Sequence, residues 1–138
     1  LDEGVASFDY SNGLLGRTTE WRWLAAHAAD VGINLQQGYF GNAENALWLD
    51  GQVIALGEAE LDQEPGGDAW RVRTGDGLVD LRFSAEGTRR DDKQLVLASS
   101  KLTQQIGVFD GWVKAAPGAE PRAVRRVAGL IEQHRARW

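Results

Sequence analysis

Arg17-Thr18-Thr19-Glu20-Trp21-Arg22-Trp23-Leu24-Ala25-Ala26-His27-Ala28 is the stretch that decides the fold. In an extended chain Thr19, Trp21, Trp23 and Ala25 share one face, and Thr18, Glu20, Arg22 and Leu24 share the other. Two indoles on one face predict that this face is buried. Glu20 and Arg22 then stand together on the opposite face, close enough to pair.

The same period of two recurs on both sides of this strand. Short apolar runs punctuated by Gly, Asn and Asp predict strands at 5–10, 33–40, 44–49, 52–61, 70–74, 78–84, 94–99 and 104–113. Asp50-Gly51 and Gly75-Asp76-Gly77 mark tight hairpins. Residues 65–68, 85–93 and 115–121 are expected as loops. The last segment, 123–138, fits two patterns. Val124, Val127, Ala128, Ile131 and Trp138 make a helical stripe, while Val127, Gly129 and Ile131 alternate against Ala128, Leu130 and Glu132 as in a strand. Gly129 disfavours the helix by about 1 kcal/mol, which tips the segment towards a strand. Eight to ten short strands with few helical signals predict an all-β chain, either an antiparallel up-and-down β-barrel or a β-sandwich. Closure into a barrel would remove the exposed edges of such a meander.

The composition agrees with a single domain over residues 1–138, with 43% hydrophobic and 25% charged residues. The absence of cysteine excludes disulfides, thiolate metal sites and cysteine nucleophiles. No apolar run reaches the roughly 18 residues of a transmembrane helix, and the acidic start has no signal-peptide core. A cytoplasmic location is therefore expected. The chain has no methionine, not even an initiator, and so reads as part of a longer protein. Residues 1–70 carry twelve acids and two bases, whereas residues 71–138 carry thirteen bases and eight acids. With an acidic net charge of −5, nucleic acid is not an expected partner.

A set of motifs spans nearly the whole chain. These are Phe8-Asp9-Tyr10-Ser11, Thr18-x-x-Trp21-Arg22-Trp23, Asn34-Leu35, Glu44-Asn45-x-x-Trp48, Asp50-Gly51, Trp70, Gly107-x-Phe109-x-Gly111 and Gly129-x-x-Glu132-x-His134-x-x-Trp138. The combination resembles a bacterial family known as domain of unknown function 2804, and this chain looks like the C-terminal part of its longer members. The resemblance implies a lipocalin-like or calycin-like barrel. It also implies a distant similarity to two-barrel proteins such as hydroxyneurosporene synthase and tocopherol cyclase, with the absent N-terminal part of the same protein as a partner. It supplies no catalytic residues.

Candidate site residues come from the sequence itself. His27 is placed to act as general acid or base. Glu132, expected inside the barrel, could protonate an alkene or activate water, or it could pair with an arginine such as Arg22 and hold the barrel closed. Asn34, Gln37, Glu44 and Gln105 could orient a polar group of a ligand. Trp21, Trp23 and Trp48 could line a cavity, although core packing is the default role for aromatics. No nucleotide-binding glycine loop or nucleophile elbow is present, and His27 and His134 have no metal-ligand spacing, so no cofactor and no metal is expected. The leading expectation is a lipocalin-like barrel binding a small apolar molecule, lipid or isoprenoid in type. The alternatives are an acid-catalysed hydratase, isomerase or cyclase using His27 and Glu132, and a structural half that packs on an N-terminal domain.

Overall fold

A computed structural model describes Ala6, Phe8, Tyr10, Leu14 and residues 16–138. Among the described residues nine antiparallel strands form one sheet: β1 (Thr18–His27), β2 (Val31–Gly38), β3 (Ala46–Leu49), β4 (Gln52–Ala55), β5 (Ala59–Gln63), β6 (Ala69–Thr74), β7 (Val79–Gln94), β8 (Ser99–Val113) and β9 (Arg122–Arg137). Their order is β4-β3-β2-β1-β9-β8-β7-β6-β5. This is an up-and-down meander whose two halves are joined where β9 pairs with β1. The sheet curls into a half-barrel. Its two edge strands, β4 and β5, are consecutive in the chain and linked by residues 56–58.

The turns follow the local chemistry. Asp50 and Gly51 both take positive φ, 51° and 79°, as a two-residue hairpin requires. The expected run 52–61 is two strands, because the chain turns at residues 56–58, where Asn45 Nδ2 holds the Gly57 carbonyl at 2.9 Å. The last segment is strand as far as Arg137, as Gly129 suggested. A Cβ at Gly129 would lie 2.3 Å from the Ala25 carbonyl oxygen and 2.8 Å from the Phe109 ring. The expected strand at 5–10 falls largely outside the described residues.

Two expectations are corrected. The first concerns the β7–β8 turn: residues 85–93 are not a loop but the continuation of β7, paired with β8 as far as Gln94–Ser99 after a bulge at Ala85/Gly87, and the run 94–99, expected as a strand, is the turn itself, with only Gln94 and Ser99 in strand. This arm is paired on one side only by β8, so solvated charges replace the apolar alternation that marks a half-buried strand. The second correction concerns β1: the face that enters the core is the opposite of the one expected, although Thr19 and Ala25 on the expected face are buried as well. Leu24 and Ala26 enter the core with Ile33, Leu35, Leu47, Leu61, Trp70, Phe83, Phe109 and Ile131. Trp21 and Trp23 lie half-buried on the convex side. Indole can do this because each N–H finds an acceptor there: Glu132 Oε1 at 3.2 Å for Trp21 and Asn34 Oδ1 at 2.8 Å for Trp23.

Candidate functional site

Strand length determines where a site can form. β7, β8 and β9 have 15 or 16 residues, while β3 and β4 have four. The long strands and the start of β1 therefore rise past the packed core as a four-stranded wing. Residues directly opposite one another in paired strands share a face, so the registers fix what each side of the wing presents.

The concave side carries three rows above the core. The first is Arg22–Gln133–Thr103–Arg90, the second Glu20–Arg135–Lys101–Asp92 and the third Thr18–Arg137–Ser99–Gln94. Below them Gln105 is buried; it accepts a 2.8 Å hydrogen bond from Trp70 Nε1 and donates to the Gly67 carbonyl at 2.9 Å. Arg22 stands where the wing meets the core. Its Nη1 donates to the Leu61 carbonyl at 2.9 Å and to Gln37 Oε1 at 3.3 Å. The guanidinium carbon lies 5.7 Å from the centre of the Trp70 ring, a cation–π contact. Glu20, Arg22, Lys101, Thr103, Gln133 and Arg135 surround an open pocket of ≈ 340 Å³. Glu20 does not pair with Arg22 as expected but approaches Arg135, at 3.8 Å. Among the described residues no carboxylate forms an ion pair with Arg22, Arg90, Lys101 or Arg137.

The convex side carries Glu132. This corrects the expectation of a carboxyl inside the barrel and of an Arg22 partner, since Arg22 points the other way. Glu132 instead takes the Trp21 N–H and, through Oε2, Gln104 Nε2 at 3.3 Å. Next to it His134 Nε2 meets Ser100 Oγ at 2.9 Å, and its ring stands edge-on to Trp21 with centroids 4.5 Å apart. His27 is on this side too, across from Gly32 and beside Trp48. Glu132 pairs with Trp23, four residues along β1 from His27, so the two candidate catalytic groups stand about 13 Å apart along the strand. They do not meet in one site.

The expected ligand residues divide in the same way. Trp21, Trp23, Asn34 and Trp48 are convex, and Asn34 Nδ2 is held by the Glu44 backbone carbonyl at 2.9 Å while the Glu44 side chain stays exposed. Only Gln37 and Gln105 reach the concave side. Sequence reading missed Arg22, Trp70, Thr103 and Gln133 as a group. The available signal was the single cation on the apolar-facing side of β1. Among the described residues no cluster of His, Asp and Glu is arranged to hold a metal ion.

No curated protein and no solved structure matches the chain significantly. A family model described as "Domain of unknown function (DUF2804)" matches residues 1–138, and the chain belongs to that family.

Proposed function

We propose that this half-barrel is a binding module for a small anionic group, a carboxylate or phosphate on a larger molecule. The observation that carries the reading is Arg22. A half-buried guanidinium with no carboxylate partner among the described residues retains donors that its two carbonyl contacts do not use. Burial of a cation is costly unless it is paired, and an incoming anion supplies the pair. Lys101 and Arg135 at the rim would draw the anion in, and Thr103 and Gln133 offer it hydrogen bonds.

The lipocalin-like character implied by the family resemblance supports binding rather than chemistry. The lining modifies the expectation of a wholly apolar ligand. The interior is filled by Leu24, Leu35, Trp70, Phe83 and Phe109, and the open side is polar, so a lipid or isoprenoid would enter with a charged head against Arg22. The separation of His27 from Glu132 counts against acid catalysis by that pair.

Trp70 lies under Arg22 and reports on it. Titration with inorganic phosphate, benzoate and decanoate should produce a saturable change in tryptophan fluorescence. Arg22→Gln should weaken the response at least tenfold, and Arg22→Lys should weaken it less. A wild-type protein that responds to none of the three probes, or an Arg22→Gln protein that responds as well as wild type, overturns the reading.

A further inference from the structure

The β7–β8 hairpin ends in Leu95-Val96-Leu97, exposed to 74%, 99% and 75%. Three consecutive aliphatic side chains in water at the tip of a long arm are not explained by folding, because they touch none of the core. Trp138 is 55% exposed at the same end, since Arg137 pairs with Ser99, the first residue of β8 after the tip.

The surroundings are cationic. The wing segments 17–20, 89–101 and 135–138 contain Arg17, Arg89, Arg90, Lys93, Lys101, Arg135 and Arg137 against only Glu20, Asp91 and Asp92. This excess of four positive charges belongs to a chain whose net charge is −5, so the rest of the molecule is strongly acidic. Two of the three carboxylates already face cations, Asp91 with Lys93 at 3.0 Å and Glu20 with Arg135 at 3.8 Å.

We propose that this end docks on an anionic lipid bilayer, with Leu95, Val96 and Leu97 inserted below the headgroups and the cations of the wing set against them. Aliphatic side chains gain by leaving water for the acyl boundary, Trp favours the interface, and basic residues near the surface are attracted by anionic lipids. A nucleic-acid backbone would match the cations but offers nothing to the aliphatic tip. The acidic remainder would be repelled by the membrane, which orients the molecule tip-first.

The test is co-sedimentation of the full chain with vesicles of phosphatidylcholine alone and of phosphatidylcholine with about one-third phosphatidylserine. Binding should be at least tenfold stronger on the anionic vesicles, with a blue shift in tryptophan emission that Trp138→Ala diminishes. Leu95→Ser/Val96→Ser/Leu97→Ser should abolish binding while leaving the circular dichroism spectrum unchanged, and Arg89→Gln/Lys93→Gln should weaken it several-fold. Arg22→Gln should retain it, which separates this surface from the anion pocket. Equal binding to both vesicle types, no binding to either, or unimpaired binding by the triple serine variant overturns the proposal. Concentration-dependent self-association that the triple variant removes, without vesicle binding, reassigns the tip to protein contact.

Discussion

Gly107 of β8 and Gly129 of β9 are direct cross-strand partners, and neither has room for a Cβ. A methyl at Gly107 would sit 2.1 Å from the Ser84 carbonyl oxygen, and one at Gly129 would sit 2.3 Å from that of Ala25. The pair lets β7, β8, β9 and β1 coil tightly and lets the Phe109 ring lie over Gly129.

Gly129→Ala should therefore destabilise the fold by about 1–3 kcal/mol, the usual range for forcing volume into a packed region. The clashes are with backbone and with a buried ring, neither of which can swing away. Urea unfolding should show a lower midpoint at unchanged slope. Gly118→Ala serves as the control for glycine replacement, since its Cβ meets nothing within 4 Å, although its φ of 82° adds some strain.

Gln105→Leu should cost about 1–3 kcal/mol although it places an apolar side chain in a buried position. The Trp70 N–H would lose its acceptor and remain buried, which is the expensive half of a broken hydrogen bond. Gln105→Leu combined with Trp70→Phe removes both partners, and it should be closer to wild type than the sum of the single changes.

Thr19→Val should stabilise the protein by about 1 kcal/mol. The Thr19 hydroxyl is buried and makes no hydrogen bond among the described residues, so its desolvation is uncompensated. Valine keeps the shape and the β-branch. A melting temperature unchanged or lowered in Thr19→Val would contradict this.

Asp76 ties two neighbouring connections together and makes part of the stability dependent on pH. Burial alone would raise its pKa, but hydrogen bonds from the Thr74 hydroxyl and the Gly57 and Leu78 amides outweigh burial and hold the carboxyl below its usual value. The folded form thus favours the carboxylate, and its contribution is fully present above the unfolded pKa of about 4 and lost as the pH falls through the lower folded value. Asp76→Asn should cost about 1 kcal/mol at pH 7, a modest figure because the side chain is partly solvated. The difference from wild type should shrink towards pH 3 in urea titrations, and a constant difference would show that the charge is not the cause.

Much of the fold was legible because strand chemistry is local. The alternation in β1, the Asp50-Gly51 hairpin and the choice of strand for β9 each depended on a few adjacent residues. The face of β1 was not legible, because indole is both apolar and a donor. Its side is decided by acceptors on β2 and β9, and the second of these, Glu132, is 111 residues from Trp21. The charged arm of β7 escaped because a strand with little to bury has no apolar period. The candidate site escaped for a related reason: Arg22, Trp70 and Thr103 come from three separate strands, and it takes the pairing through Gln133 of β9 and the curl of the sheet to bring them together.

The pairing of β9 with β1 joins the first described strand to the last. β1 ends at His27 and β9 begins at Arg122, so one flank of β1 has no strand to pair with until residues 122–137 have been made. At ordinary rates of synthesis this lasts on the order of ten seconds. During that time the nascent protein displays a strand edge bearing Trp21, Trp23 and Leu24. That edge is thus open to misassociation during synthesis, before the sheet itself covers it.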